Sequence, residues 1–228
     1  MTSLREQPWV KSAKELSTAE LSDALDYFKL PGSVLGIKPI AGPKKIFGFA
    51  FTMRFVPIDK TNPGTVGDFI DTMLPGDVAV LDNGGRIDCT VWGGILSQIA
   101  AHRKIAGTVI YGVCRDTAEA DAAGYPLYAS GRFMRTGKDR VQVQSYGEVV
   151  SLGDVRVAQG DLIVADHDGV VVVPAAQAQA VVERALMTRE LEDKILKAAL
   201  AGEKLSDARK KYGYHVLQRS PDQLNLEK

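Results

Sequence analysis

The hydrophobic and polar positions divide the chain into helical segments near its two ends and strand-like segments between them. Residues 16–28 carry apolar side chains at the spacing of one helix face, and Ser17 or Thr18 precedes them as a cap. A longer helical pattern begins at Ala175 and runs to about Gly202. Both segments are therefore predicted to be helices, each with one apolar face.

The middle of the chain shows alternating or short continuous apolar runs, which are typical of strands. The candidate strands are KIFGFAFTMRFVP, DVAVLDNGG, TVIYGV, YPLYASG, RVQVQSYGEVVSLGDVRV, DLIVADHDG and VVVVPA. The Asp168-Gly169 pair between the last two is a tight-turn signal. The segment TVGDFIDTML is predicted to be a short helix that ends at Pro75. Helices combined with strands in this way predict an α/β protein.

Composition and charge exclude several classes of protein. The chain has 228 residues, of which 45% are hydrophobic, so it can bury a sizeable core. The 28 basic and 28 acidic residues balance, which argues against a nucleic-acid partner. Cys89 and Cys114 have neither the spacing of a metal site nor that of a disulfide framework. Without an apolar run long enough to span a bilayer, a cytoplasmic protein with no membrane partner is expected.

The stretch from Gly93 to Glu119, GGILSQIAAHRKIAGTVIYGVCRDTAE, combines a glycine pair with a later pair of opposite charges. The glycines open a predicted helix of about 15 Å, and a predicted strand of about 20 Å follows it. If the strand reverses the direction of the helix, its end returns to the helix start. Gly94 and Arg115 are therefore expected to face each other.

Each end of this stretch offers a different chemistry. A helix N-terminus presents free N–H groups and partial positive charge, and glycine lets an anion approach the backbone closely. Arg115 adds a planar fork that suits a carboxylate, and Asp116 supplies one hard oxygen ligand for Mg²⁺. These residues describe a pocket for a small 2-oxo acid on a divalent metal. From spacing alone, a tight connection followed by surface charges is the commoner interpretation.

Several motifs of the chain resemble the family that includes 4-hydroxy-4-methyl-2-oxoglutarate aldolases and the regulator of ribonuclease activity A. The similar stretches are LSTAELSDALD, GDVAVLDNGG, VWGGILSQIAAHRKIAGTVIYGVCRD, YPLYASG and DLIVADHDGVVVVP. The resemblance implies a single-domain α-β-β-α sandwich of the swivelling β/β/α type. It covers about residues 17–205, the aldolase domain, after an N-terminal extension of 1–16. Residues 206–228 are a polar tail that is expected to fray or to contact a neighbouring subunit.

The resemblance also implies roles for individual residues. The backbone amides of Gly93, Gly94, Ile95 and Leu96 would bind the carboxylate of a pyruvyl group. Arg115 would bind substrate oxygens and take part in catalysis. Asp116 would be catalytic as the one direct protein ligand of Mg²⁺ or Mn²⁺.

Two further carboxylates are implied to reach the metal through water. One is Glu119, and the other is an acid on the last long helix of a neighbouring chain, for which Glu192 matches best. Glu190 and Asp193 are the alternatives to Glu192. The chain departs from the family at Gly94, where many members carry an acidic residue, and this departure leaves the proton-transfer arrangement and the substrate open.

The predicted activity is that of a class II, metal-dependent pyruvate aldolase. It would cleave a 4-hydroxy-2-oxo acid to pyruvate and would also decarboxylate oxaloacetate. The alternatives are a non-enzymatic regulator of ribonuclease activity and a lyase of the same mechanism that acts on a different oxo acid. By resemblance the protein is expected to form a homotrimer or hexamer.

The histidine His167, the cysteine Cys114 and the lysines are not expected to take part in catalysis. His167 is predicted to lie in a polar hairpin turn, and Cys114 is predicted to be a buried core residue. None of the lysines has clearly apolar flanks, which argues against an imine-forming aldolase.

Overall fold

The computed structural model describes residues 4–217 of the 228-residue chain. By its internal contacts the chain divides into two compact units. The sheet unit is Gly32–Ala175, and the helical unit combines the parts of the chain before and after it. A large mixed sheet with helices confirms the predicted α/β class. Within residues 4–217, none of the helices has the length and apolar character that a membrane crossing requires.

The secondary structure follows the predicted alternation of helices and strands. The helices are α1 (Trp9–Ala13), α2 (Thr18–Tyr27), α3 (Gly94–His102), α4 (Thr117–Ala122), α5 (Ala178–Leu200) and α6 (Leu205–Lys211). The strands are β1 (Ser33–Val34), β2 (Lys38–Ala41), β3 (Ile46–Pro57), β4 (Asp77–Thr90), β5 (Gly107–Cys114), β6 (Leu127–Arg132), β7 (Val141–Tyr146), β8 (Val150–Leu152), β9 (Val155–Val157), β10 (Leu162–Ala165) and β11 (Val170–Val173). Short 3-10 turns are formed by Leu4–Glu6, Phe69–Thr72, Ala175–Gln177 and Tyr214–Val216.

The nine-stranded sheet has the order β1-β11-β10-β3-β4-β5-β6-β2, and β7 pairs with β3 beside this path. Strands β3 to β6 are parallel neighbours, whereas the outer pairs are antiparallel. Parallel neighbours need crossover connections. Helix α3 makes the connection from β4 to β5, and α4 makes the one from β5 to β6.

Both faces of the central strands are buried, because side chains alternate between two cores. Ala79 and Leu81 of β4 belong to one core cluster together with Ala100 of α3. Val78 and Val80, which point the other way, belong to a second cluster with residues of the small β8-β9 sheet. The sheet unit therefore consists of a helical layer, the large sheet and a small second sheet.

In the helical unit, the predicted helix over residues 16–28 is confirmed as α2, with Ser17 as its N-cap. Glu20 and Ser17 form a reciprocal capping box, and the Arg189 guanidinium on α5 donates to both oxygens of the Glu20 carboxylate. Arg189 also donates to the carbonyl of Glu15 at 2.6 Å. These contacts join α2 to α5 through the start of α2.

Two segments differ in extent from the sequence prediction. The predicted helix before Pro75 is only a 3-10 turn, because two residues with non-helical backbone angles enclose it: Gly67, with φ +94°, and Met73, which is extended with ψ 146°. Strand β4 continues beyond the predicted strand DVAVLDNGG, with Arg86 opposite Gly112 and Thr90 opposite Val113, and the register with β5 shifts on either side of Arg86.

The polar tail expected at 206–228 begins inside α6, and its fraying or contact with a neighbouring subunit stays a prediction. Ala208 and Leu217 are buried. Residues 218–228 lie outside the described residues, and the boundaries at 16/17 and 205/206 stay predictions. The hairpin predicted at Asp168-Gly169 is confirmed, because β10 and β11 pair antiparallel on either side of it and His167 is exposed in the turn.

Candidate functional site

The site lies where the parallel strands β4 and β5 end, at their carboxyl edge. Trp92 and Gly93 follow β4, and Arg115 and Asp116 follow β5. The Arg115 N–H donates to the carbonyl of Trp92 at 3.3 Å. The Gly94 N–H donates to Asp116 Oδ2 at 2.9 Å. The prediction that the glycine pair faces the charged pair is therefore confirmed.

Gly93 is needed for space rather than for backbone freedom. Its φ of −146° is accessible to any residue. A Cβ atom at this position would lie 2.7 Å from Asp116 Oδ2 and 3.4 Å from Arg115 Nε. A side chain at position 93 would therefore displace the Asp116 carboxylate from the start of α3 and would contact the Arg115 guanidinium.

The first amides of α3 point out of the helix toward the same edge. The first bond within the helix is made by the Ser97 N–H, which donates to the Gly93 carbonyl at 3.1 Å. The N–H groups of Gly94, Ile95 and Leu96 precede it and are the orphan donors that every helix start presents. We call these three N–H groups the amide cradle. The first of these groups, the Gly94 N–H, already donates to the Asp116 carboxylate.

A cavity of about 260 Å³ opens in front of the amide cradle. Its volume suits a ligand of a few carbon atoms with its water. The cavity is lined by Val66, Gly67, Thr90, Val91, Trp92, Gly93, Gly94, Ile95, Leu96, Arg115, Asp116, Thr136, Gly137 and Lys138. The six residues predicted to bind substrate or metal directly are all in this lining.

Asp116 has an unusual backbone conformation that directs its carboxylate toward α3. Its φ and ψ are +54° and +43°, in the left-handed region, which aspartate tolerates better than most residues. Asp116 Oδ2 lies 3.3 Å from Arg115 Nε as well as accepting the Gly94 N–H. Both side chains are 37% exposed, so the ion pair is open to solvent and to a ligand.

Arg115 lies between the cavity and the loop after β6. Its Nη1 donates to the carbonyl of Met134 at 3.4 Å, and its Nε lies near Asp116. The guanidinium is thus held from one side and lines the cavity with the other. A planar fork in this position can bind two oxygens of an acid.

Glu119 is placed beside Gly94 but outside the cavity lining. A Cβ atom at position 94 would lie 3.2 Å from both Cβ and Cγ of Glu119. The stem of Glu119 therefore fills the space that an acidic side chain at position 94 would need. The structure brings Glu119 to the start of α3 and leaves its predicted contact with a metal untested.

Glu192 belongs to the helical unit, on α5. Burial, together with the negative charges of Asp23, Glu20 and Asp193, raises its pKa above the ordinary value. Glu190 and Asp193 lie on the same helix. The proposed role of these acids at the site of a neighbouring chain stays a prediction.

The residues of the cavity fit a hydrated divalent cation better than a metal cage. Among residues 4–217, no group of three or more histidine, cysteine, aspartate or glutamate side chains could hold a metal ion. Asp116 is the carboxylate in the cavity lining. Mg²⁺ commonly binds through one or two carboxylates while waters and substrate oxygens supply the other ligands. One hard oxygen beside an open cavity matches that pattern.

Sequence reasoning missed part of the cavity wall. Thr136, Gly137 and Lys138, from the loop between β6 and β7, line it. This loop is held against the end of β4, because the Thr90 N–H donates to the carbonyl of Arg135 at 3.0 Å. The segment RTGKDR carries no motif that would indicate this position. Trp92 stands in the motif VWGGIL, which by itself gives no indication of its role.

The prediction that Cys114 is a buried core residue is confirmed. Burial raises the pKa of its thiol to about 12, and Sγ donates to the carbonyl of Gly131 at 3.6 Å. The thiolate is the reactive form of cysteine. Cys114 is therefore unreactive at neutral pH despite its position beside Arg115.

Comparison with known proteins gives relatives over most of the chain. Protein DlpA of Legionella pneumophila is 37% identical over 200 residues, which are 87% of this chain. The chain spans 32% of the length of DlpA. A protein of Halalkalibacterium halodurans named "Putative 4-hydroxy-4-methyl-2-oxoglutarate aldolase" is 31% identical over 179 residues, which are 78% of this chain and 81% of that protein.

A solved structure and a family profile agree with these relatives. The crystal structure of Streptomyces coelicolor RraAS2, described as an unusual member of the RNase ES inhibitor RraA protein family, has a TM-score of 0.75 and 26% identity. The match covers 82% of this chain and 96% of RraAS2. The profile of the RraA-like family, Aldolase/RraA, matches residues 18–172, which include the amide cradle, Arg115 and Asp116. The chain therefore belongs to the RraA-like family.

Proposed function

We propose that the protein is a divalent-metal-dependent aldolase that cleaves a 4-hydroxy-2-oxo acid, such as 4-hydroxy-4-methyl-2-oxoglutarate, to pyruvate. Oxaloacetate decarboxylation is proposed as a second activity of the same site. The observation that carries the proposal is the meeting of the amide cradle, Arg115 and Asp116 at one cavity. The names of relatives such as the Halalkalibacterium protein support a lyase.

Substrate binding would use the positive end of α3. The carboxylate of the pyruvyl group would accept hydrogen bonds from the amides of Ile95 and Leu96, where the helix dipole favours negative charge. Arg115 would hold the same acid through its planar guanidinium. Asp116 would hold Mg²⁺ or Mn²⁺. When bound, the cation would supply Lewis-acid polarisation of the 2-oxo group.

Cleavage would use charge stabilisation at the 2-oxo oxygen. As the C3–C4 bond breaks, its electron pair moves toward this oxygen, and Arg115 would stabilise the growing negative charge. The 4-hydroxyl loses its proton, and C3 gains one to give pyruvate. Glu119, and Glu192 of a neighbouring copy, are proposed to serve these proton transfers through water. In oxaloacetate decarboxylation the departing group is CO₂, and the same charge develops.

The proposed assembly is a homotrimer or hexamer formed through the C-terminal helix. Met187, Leu196 and Leu200 on α5 are 56% to 79% exposed, and contact with another copy of the chain would remove this apolar surface from water. Light scattering at micromolar concentration tests the proposal, and an active monomer would contradict it.

A second candidate is a protein-binding regulator of ribonuclease activity. It is favoured by the likeness to RraAS2, which is described as belonging to an RNase inhibitor family. In that case the cavity would not turn over oxo acids, and an exposed surface would bind the enzyme. The lyase proposal is preferred because the binding residues converge on a cavity.

One experiment separates these proposals. A panel of 4-hydroxy-2-oxo acids and oxaloacetate is incubated with the protein, and pyruvate release is followed with Mg²⁺, with Mn²⁺ and with a chelator. The lyase proposal expects metal-dependent release from at least one acid in the panel. Release from none of them, together with inhibition of a ribonuclease, would replace the lyase proposal with the regulator.

A further inference from the structure

We infer that Trp92 is a positioning residue that holds both halves of the site, the amide cradle and Arg115, in their relative places. Trp92 directly precedes Gly93 and is 1% exposed. Neither the family assignment nor the proposed reaction requires an indole at this position. The hydrogen bonds of its side chain and its backbone give Trp92 this role.

The indole holds the first turn of α3. Trp92 Nε1 donates to Ser97 Oγ at 2.9 Å, and Ser97 Oγ donates to the Gly93 carbonyl at 3.2 Å. Ser97 is fully buried. The side-chain bond reinforces the backbone bond from the Ser97 N–H to the same carbonyl. The direction of the amide cradle therefore depends on a buried chain of bonds that starts at the indole.

The backbone of Trp92 holds Arg115, the other half of the site. Its carbonyl accepts the Arg115 N–H at 3.3 Å and the hydroxyl of Thr90 at 2.8 Å. The Trp92 N–H in turn donates to Thr90 Oγ1 at 3.1 Å. Thr90 thus fixes the Trp92 carbonyl group to which the Arg115 N–H donates. One residue consequently connects the start of α3 with the end of β5.

The ring of Trp92 is held by aromatic packing. It stacks on Tyr125, with centroids 5.8 Å apart and an interplanar angle of 9°. The Tyr125 hydroxyl shares a 2.8 Å hydrogen bond with Thr108 Oγ1. Tyr125 therefore contacts the indole and has its own buried hydrogen bond, but it makes none to the turn before α3. Tyr125→Phe is a matched control for the loss of one buried bond.

The direct test is hydrogen exchange in the segment Gly94–Ser97. It is measured at the two amides that make hydrogen bonds, the Gly94 N–H to Asp116 Oδ2 and the Ser97 N–H to the Gly93 carbonyl. Trp92→Phe keeps an aromatic ring but loses the donor, and Ser97→Ala removes the acceptor. Each should speed exchange in this segment about fivefold, the effect of one lost buried hydrogen bond. Tyr125→Phe should leave the segment unchanged. If Tyr125→Phe speeds it equally, or if neither Trp92→Phe nor Ser97→Ala does, the inference is wrong.

A binding measurement tests the functional consequence, and this part rests on the proposed function. Calorimetry with oxalate and Mg²⁺ should give a dissociation constant about tenfold higher for Trp92→Phe and for Ser97→Ala. The double variant should be weakened less than additively, because both changes remove the same bond. Tyr125→Phe should bind like the wild type. Equal weakening by Tyr125→Phe would mean that Trp92 serves stability alone.

The proposed function and the positioning role of Trp92 can be contradicted independently of each other. If the wild-type protein releases no pyruvate from the panel of oxo acids, the proposed function fails, while the exchange pattern still decides the role of Trp92. If one variant does not fold, as judged by circular dichroism, the other supplies the comparison with Tyr125→Phe. Unchanged exchange in the folded variants would overturn the inference even in an active enzyme.

Discussion

The starts of helices α2 and α3 are capped in opposite ways. At α2 the cap is local: Ser17 Oγ accepts the Glu20 N–H at 3.2 Å, and Glu20 Oε2 accepts the Ser17 N–H at 2.7 Å. At α3 the N-cap is Gly93, which has no side chain to offer. The Gly94 N–H is instead capped by Asp116, which is 22 residues away along the chain.

This difference separates a structural helix start from a functional one. The capping box of Ser17 and Glu20 satisfies orphan amides permanently and stabilises α2. The α3 start has one amide bound by a carboxylate from another element, and the amides of Ile95 and Leu96 face a cavity. A helix start without its own cap can exchange its partner for a ligand.

The largest expected effect comes from removing the charge of the distant cap. Asp116→Asn keeps the size of the side chain but loses the proposed metal ligand. Metal-stimulated pyruvate release should fall by more than about 10²-fold, since changes to groups behind a metal ligand already cost 10- to 100-fold. Thermal unfolding should remain cooperative. Full wild-type activity after exhaustive chelation, or trapping of substrate by borohydride, would contradict this prediction.

Arg115→Lys should have the next largest effect on catalysis. It keeps the charge but loses the planar fork. We expect kcat to fall by about 10²-fold, the scale of losing one preorganised donor, with a smaller rise in KM. Steady-state kinetics of cleavage and of oxaloacetate decarboxylation should fall in parallel. A rise in KM alone, or a loss confined to cleavage, would disprove the shared mechanism.

Gly93→Ala tests whether the start of α3 needs the space that glycine leaves for the Asp116 carboxylate. The new Cβ would lie 2.7 Å from Asp116 Oδ2, so the carboxylate must move away. Oxalate binding with Mg²⁺ should weaken about tenfold, the cost of a misplaced group near the reacting atoms. Gly131→Ala is the control, because its Cβ would meet only Val113 Cγ1 at an ordinary 3.7 Å. Equal effects of the two variants would show that the space at Gly93 is not specific.

The α2 cap should affect stability at low pH and leave activity unchanged. Burial acts to raise the pKa of Glu20, but hydrogen bonds from Arg189 and Ser17 outweigh it and lower the pKa from 4.5 to about 2. Because the pKa of Glu20 is lower in the folded state than in the unfolded state, its carboxylate stabilises the folded protein at pH values above the unfolded-state pKa. This stability is lost as pH falls from about 4.5 to about 2. Because the pair is partly exposed, we expect a loss of about 1–2 kcal/mol.

Denaturant titrations between pH 5 and pH 2 measure this loss. Glu20→Gln should flatten the pH dependence in that window. Ser17→Ala should cost about 1 kcal/mol as a lost N-cap while leaving most of the Arg189 contribution in place. If Ser17→Ala changed pyruvate release, the start of α2 would not be purely structural, and the distinction from the functional start of α3 would be wrong.

The sequence by itself determined the elements whose signals act over a few residues. The capping box at Ser17, the period of α5 and the turn at Asp168-Gly169 are local, so α2, α5 and the β10-β11 hairpin could be predicted. The length of the segment between Gly94 and Arg115 also predicted that its ends meet. Such signals depend on spacing, and spacing can be read directly from the chain.

Only the tertiary structure decided which groups complete the site. Asp116 as the cap of Gly94, Lys138 in the cavity wall and the bond from Trp92 to buried Ser97 depend on how strands β4, β5 and β6 lie side by side. The contact of Glu20 with Arg189 joins residues 169 positions apart. Partners so distant are brought together by burial of the whole core, because no local preference favours one over another.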